Sequence, residues 1–273
     1  MIARQFMAIF SLSLRRMMRS RWAYLGFAIV PLAVIMLILY FFPESEGLGS
    51  TKEKVNTAHQ IYESLLRSYF LHFMVFFIAN IFGFSIMRSE IDNQTLHYLF
   101  LQPINRWLLI LGKLSAYLLI SSVVCITTLW LCYTLLMLDW VGVGGLFEDL
   151  FKGGRGLILI KESLALSLGL LVYGALAMMM ACIFKSNAGY GFLLLCWESL
   201  LPWLPIALKK GTIMHYLHSL MPERLIAQQQ FFSLLGVPTS TFACFMILGC
   251  VLLITLVLAM VIYQFKECIY SDS

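Results

Sequence analysis

Glu198 is the residue whose chemistry stands out most in this sequence. It is the only acidic residue well inside a predicted apolar span, about ten residues past the polar turn 185–188 and hence roughly 15 Å deep. A carboxylate at that depth is costly to ionise unless it is paired or faces water. Pro202 and Pro205 interrupt the same span, because proline lacks an amide proton and clashes with a preceding carbonyl. The three residues predict either the lining of a polar route or subunit seam, or a protonated or locally paired acid near a helix end broken by proline.

Other polar residues give weaker signals for a site. His215 and His218 could share a helix face, but two histidines do not complete a zinc site, so packing at a membrane interface is predicted for them. Lys161 and Glu162 begin an apolar run and are typical of an interfacial anchor. The glycines between 139 and 156 do not form the GxxxxGK[ST] pattern that cradles phosphate, and neither does any other stretch. No metal and no directly bound cofactor are therefore predicted for this chain.

The composition of the chain indicates what kind of fold holds these residues. The chain has 273 residues, of which 61% are hydrophobic and 12% charged, and its mean hydropathy is +0.87. A soluble domain is about half apolar and a quarter charged. The sequence therefore predicts an integral membrane protein in contact with lipid. The net charge of +5 is spread over loops and indicates no nucleic-acid partner.

The apolar runs predict an all-α fold of six transmembrane helices in a single domain, residues 1–273. Each run is long enough to cross a hydrocarbon core of about 30 Å. An amphipathic interfacial helix is predicted over 1–21, a polar loop or short exposed helix over 43–69, and a flexible loop over 139–156. Residues 209–240 predict interfacial or re-entrant helices before the last span. The six predicted spans are 22–42, 70–87, 107–138, 157–184, 190–208 and 241–265.

Charge near the first span predicts the orientation of the chain in the membrane. Four arginines lie between Arg15 and Arg21, immediately before that span, and flanking positive charge marks the cytoplasmic side. Six spans bring both termini to the same side, so both are predicted to be cytoplasmic. The segments 43–69, 139–156 and 209–240 then face outward.

The stretch from Ser89 to Lys113 holds most of the polar residues in the first half of the chain. Ser89 and Asp92 have the spacing of a capping box, which predicts that a helix begins at Ser89. Pro103 disfavours helical geometry for the preceding residue, so the helix is predicted to end near Leu101. A short amphipathic helix of about three turns is expected between the second and third spans.

This stretch resembles the cytoplasmic coupling region of type-2 ABC transporter permeases. The family has Gly where this chain has Gln94. The residues that carry the resemblance, in order, are Glu90, Thr95-Leu96, Leu99 to Leu101, Pro103-Ile104, Arg106 and Gly112-Lys113.

The resemblance implies a permease of an ABC exporter in the cell membrane, without ATPase activity of its own. It further implies two copies of a separate ABC ATP-binding subunit, which would bind ATP and Mg²⁺, and a second permease, identical or different. The residues implied to couple to that ATPase are Glu90, Asp92, Thr95, Leu96, Leu99, Pro103 and Arg106. Two alternatives stay open: an ATP-independent carrier or channel, and an intramembrane enzyme, which would need acids and histidines paired at one depth.

Overall fold

The fold is known from a computed structural model, and every described residue in a regular element is helical. The structure describes residues 2–19, 51–92, 106–184, 210–221 and 239–271, with the single residues 35, 189, 191, 194 and 198. We number the helices in chain order. They are α1 (Ile2–Arg19), α2 (the continuous run Thr51–Leu65, Leu66–Met74, Val75–Ile78, Ala79–Gly83 and Phe84–Asp92), α3 (Arg106–Trp140), α4 (Gly142–Phe147), α5 (Arg155–Ile183), α6 (Ile213–Ser219) and α7 (Thr241–Ser271).

Four of these helices are long and apolar enough to cross a membrane, among the residues that the structure describes. Their apolar parts are Glu53–Arg88, Trp107–Trp140, Arg155–Ile183 and Thr241–Ile262. The predicted spans 22–42 and 190–208 lie outside the described residues, apart from the single helical positions given above. A helix of 35 residues, such as α3, is about 52 Å long and exceeds the hydrocarbon thickness of about 30 Å. The long helices therefore extend past the bilayer at one end or both.

Helix α2 begins much earlier than the sequence predicted. Residues 51–69, expected to form a loop or a short exposed helix, belong to α2, and Ala58, Tyr62 and Leu65 are buried in the core. Apolar residues recur at helical spacing among the charges of this segment, so one face packs while mean hydropathy stays low. π-Helical turns at Leu66–Met74 and Ala79–Gly83 interrupt the α-helical pattern without ending the helix.

The prediction of a helix start at Ser89 was wrong. Ser89 lies inside the segment Phe84–Asp92, which continues α2 without a break. In a running helix the amides near Ser89 already have backbone acceptors, so a capping box has no unpaired amides to bind there. The remainder of the predicted coupling helix, 93–105, lies outside the described residues.

The prediction of a flexible loop over 139–156 was also wrong, because most of this segment is helical. Helix α4 is followed by a π-helical turn, Glu148–Lys152, and the chain turns back at Gly154. Among the described glycines, Gly142 and Gly154 have positive φ, at 79° and 68°, and Gly144, Gly145 and Gly156 lie in helices. Intrinsic propensity disfavours glycine in a helix, but packing of α4 and its turn on α3 and α5 outweighs it.

Helix α5 lies at the centre of the bundle and packs against α2, α3 and α7. Glycines allow the close approach. A Cβ on Gly174 would lie 2.0 Å from the ring of Tyr117 in α3, and one on Gly83 would lie 3.2 Å from Ala177. The Tyr117 hydroxyl donates to the Leu170 carbonyl at 3.0 Å. The hydrophobic effect does not drive helices together in lipid, so close van der Waals packing at small residues contributes much of their association.

Candidate functional site

One end of the bundle carries the stretch that resembles the coupling region. Helix α2 ends here at Asp92, α3 begins at Arg106, and we call this the coupling end. Arg88 Nη1 donates to the Phe184 carbonyl at 3.3 Å, which joins the end of α2 to the end of α5. A cation is favoured at a helix C-terminus, where carbonyls lack intrahelical partners.

The Gly112-Lys113 pair has a structural role at the coupling end. Lys113 is 1% exposed, and its Nζ donates to Met87 Sδ at 3.5 Å, so α2 and α3 are packed side by side. A Cβ on Gly112 would lie 2.8 Å from Ile9 Cγ2 of α1. Gly112 therefore leaves room for α1 to lie across the start of α3.

The structure places the predicted coupling residues only in part. Glu90 and Asp92 lie in the last turn of α2, and Arg106 is the first residue of α3. Thr95, Leu96, Leu99 and Pro103 lie outside the described residues, as do Pro202 and Pro205. The two helix ends that flank 93–105 are brought together, because Met87 and Lys113 are in contact one to two turns further into the bundle.

A buried ion-pair cluster lies at the opposite end of the bundle. Arg155, the first residue of α5, has Nη1 3.6 Å from Glu63 Oε1 and Nη2 3.5 Å from Glu162 Oε1. The side chains of Arg155, Glu63 and Glu162 are 5%, 11% and 1% exposed. The guanidinium also lies 5.2 Å from the centre of the Tyr62 ring. Buried charges of this kind persist only when they are paired, because each loses several kcal/mol of hydration.

Tyrosines extend the cluster to α3 and to the turn after α4. The Tyr62 hydroxyl donates to Glu162 Oε2 at 2.9 Å, and its ring packs edge-on against Tyr133. The Tyr133 hydroxyl donates in turn to Asp149 Oδ2, and His59 Nε2 is 3.3 Å from Asp149 Oδ1. We call this set the polar network: His59, Tyr62, Glu63, Tyr133, Asp149, Arg155 and Glu162.

The polar network corrects two interpretations of the sequence. Glu162 was assigned to an interfacial anchor, but it is buried and bonded to Tyr62. Glu63 was placed in a polar loop or short exposed helix over 43–69, but it is buried in α2. The available signal was the helical spacing of apolar residues around Glu63, which indicates that this part of α2 faces a core.

Glu198 lies against α5, and the residue is 6% exposed. Tyr173 donates its hydroxyl to Glu198 Oε1 at 3.0 Å. Oε2 is buried without a hydrogen bond, although the backbone amide of Ile213 faces the same carboxyl group. A cavity of about 10 Å³ lies beside it, lined by His72, Phe76, Tyr173, Glu198 and Met214. That space is close to what one water molecule needs, and water there would satisfy the second oxygen.

His215 and His218 are buried in the short helix α6, which packs on α2, α5 and α7. Burial lowers the pKa of His218 to about 3, and the positive charge of Arg67 and the neighbouring His72 and His215 lower it further. His218 is therefore neutral at pH 7. Among the described residues no three histidine, cysteine or acidic side chains are grouped closely enough to hold a metal ion.

The described residues define a multi-pass, helical membrane protein with clusters of polar side chains buried between its helices. The family model of ABC-2 family transporter proteins matches residues 7–268, which is nearly the whole chain. The chain therefore belongs to the ABC-2 transporter family and is a membrane transport component. No curated protein matches it significantly.

Proposed function

We propose that the chain is the permease subunit of an ABC exporter, driven by ATP hydrolysis in a separate ATP-binding subunit. The family match over residues 7–268 is the observation that carries the proposal. Two ATP-binding subunits, which hold ATP and Mg²⁺, and a second permease, identical or different, complete the transporter. The chain lies in the cell membrane with both termini in the cytoplasm, because the arginines between 15 and 21 flank the first span on that side.

The ATP-binding subunit docks at the coupling end. Residues 93–105 leave α2 at Asp92 and enter α3 at Arg106, and the contact between Met87 and Lys113 joins the two helices just inside the bundle. Force applied to this connection reaches both helices together. Contacts to the ATPase are made by Glu90, Asp92, Thr95, Leu96, Leu99, Pro103 and Arg106.

Substitutions in the connection test this proposal. Leu99→Asp and Glu90→Ala are expected to detach the ATP-binding subunit or to uncouple its ATP hydrolysis from transport, with membrane insertion unchanged. The measurement is co-purification of the ATPase from detergent-solubilised membranes, followed by ATP hydrolysis. Phe151→Asp and Glu148→Ala are matched controls at exposed positions of the opposite end, where the Phe151 residue is 80% exposed. Wild-type binding and hydrolysis in both coupling variants would refute the assignment.

Glu198, with Pro202 and Pro205 after it, lines the cargo route or the seam between permeases. The buried Oε2 and the small cavity beside it support this role. Glu198→Gln removes the charge and keeps the shape, so it is expected to alter transport while the complex assembles normally. Glu148→Gln, on an exposed turn, is the control. If Glu198 is only a buried, protonated acid, the glutamine variant transports like the wild type, since each side chain can accept the Tyr173 bond.

A carrier that works without ATP is the second candidate. The buried Glu198 favours it, because intramembrane ionisable groups are typical of ion-coupled carriers. The two candidates differ in energy source. Transport into inverted vesicles that requires ATP and stops with vanadate supports the ABC exporter, whereas transport that follows an ion gradient without ATP supports the carrier.

A further inference from the structure

The polar network lies far from the coupling end. Glu63 precedes Arg88 by 25 residues along α2, and Arg155 precedes Ile183 by 28 residues along α5. At 1.5 Å per residue these separations are about 38 and 42 Å. The hydrocarbon core is about 30 Å thick, so the network lies at or beyond the membrane surface opposite the ATP-binding subunit.

The network connects three helices and the turn after α4 at this end of the bundle. Glu63 and Tyr62 belong to α2, Arg155 and Glu162 to α5, and Tyr133 to α3. Asp149 lies in the turn after α4 and bonds both to Tyr133 and to His59 of α2. Helices α2, α3 and α5 are therefore bound together here by side chains alone.

The geometry of Arg155 is that of a contact which can separate. Both of its carboxylate distances, 3.5 and 3.6 Å, exceed those of the short, paired hydrogen bonds that an arginine makes with a well-fitted carboxylate. Arg155 Nε and Nη2 are buried without a hydrogen bond. A buried guanidinium held so loosely stabilises the closed arrangement less than an ideal pair does. Opening this end would let water reach the charges and recover their hydration.

We propose that the polar network is a latch that holds α2 against α3, α5 and the turn after α4, and that it opens in each transport cycle. Arg155 is its central positioning residue. The latch rests on the proposed function, since it opens when the ATP-binding subunit moves the other ends of α2 and α3. Closed, it seals the far end of the bundle; open, it allows cargo to leave.

A reversible cross-link across the latch tests this directly. His59 and Asp149 are suitable because their side chains touch at 3.3 Å and are 16% and 15% exposed, so reagents reach them. The double variant His59→Cys/Asp149→Cys is made in a chain without other cysteines and purified with its ATP-binding subunit in lipid nanodiscs. A short cleavable thiol cross-linker then fixes α2 to the turn. The control is Glu148→Cys/Lys152→Cys, which links two residues of the same turn that are 2.9 Å apart.

The readout is vanadate-sensitive ATP hydrolysis before linking, after linking and after cleavage of the linker. We expect linking of His59→Cys/Asp149→Cys to slow hydrolysis about tenfold or more and cleavage to restore it, because a conformational step in the cycle is blocked. Linking of the control pair is expected to leave hydrolysis unchanged. If fully linked protein hydrolyses ATP at the unlinked rate, the latch is refuted, and the polar network is a static structural support that does not open in the cycle.

A second variant covers the buried pair. Glu63→Gln keeps the shape but removes the charge that joins α2 to Arg155, and it is expected to raise basal hydrolysis several-fold, since opening becomes easier. If Glu63→Gln lowers thermal stability without changing hydrolysis, the network is structural and the latch is refuted. Failure of the proposed function looks different, because even the unlinked wild-type complex would then hydrolyse no ATP.

Discussion

The coupling end and the end with the polar network are held together by different interactions. At the coupling end, helices meet through tight packing at Gly112 and single polar contacts, such as Arg88 with the Phe184 carbonyl. At the other end, charges and tyrosines form one connected set between Glu63 and Asp149. Packing at a glycine tolerates small sliding motions, whereas an ion-pair cluster has bonded and separated states. The difference suggests that force enters at one end and a discrete opening step occurs at the other.

Removing the central cation of the polar network is expected to have the largest effect on stability. Arg155→Met removes the cation that is paired with both Glu63 and Glu162, and breaking a buried pair in this way costs about 3–5 kcal/mol. Thermal unfolding in detergent, followed by tryptophan fluorescence, measures the loss. Lys152→Met, which breaks the exposed pair with Glu148, is the control and is expected to be silent. Equal stability of both variants would mean that the cluster contributes nothing to this end.

Overpacking at Gly112 is expected to have a smaller and local effect. Gly112→Val places side-chain atoms where Ile9 lies, and overpacking costs about 1–3 kcal/mol. Limited proteolysis should cut the segment of α1 faster in this variant, while the polar network stays intact. Adding Ile9→Ala should restore protection by making room. Gly144→Val is the control, because no atom lies within 4 Å of a Cβ there. Unchanged cleavage in Gly112→Val would show that α1 does not depend on this approach.

Acid is expected to destabilise the region around α6 gradually as the pH falls. The pKa of His218 is about 3 in the folded chain and near 6.5 when unfolded, so only the unfolded state binds the proton between these values. Stability contributed by neutral His218 is present above pH 6.5 and falls by about 1.4 kcal/mol for each pH unit below it. Unfolding from pH 8 to 5 should therefore show a shallower acid slope in His218→Gln than in the wild type. Parallel curves would contradict the assigned pKa.

Sequence alone predicted the membrane class and the family resemblance because both rest on local information. Apolar runs longer than a bilayer is thick require helices, whatever they pack against. The residues from Glu90 to Lys113 carry their signal in order and spacing, and the family match over residues 7–268 confirmed the resemblance. The role of Gly112 was not visible, because it depends on where α1 lies.

Only the tertiary structure decided where the charges go. Tyr62 and Glu162 are 100 residues apart, and His59 and Asp149 are 90 apart, so no local pattern pairs them. The sequence assigned Glu63 to a polar segment because mean hydropathy averages over all faces of a helix. Only one face of such a helix is buried, and Glu63 lies on it. Whether an acid on such a helix meets water, lipid or an arginine depends on which helix packs beside it. In this protein α5 packs against α2, and this packing places Arg155 between the carboxylates of Glu63 and Glu162.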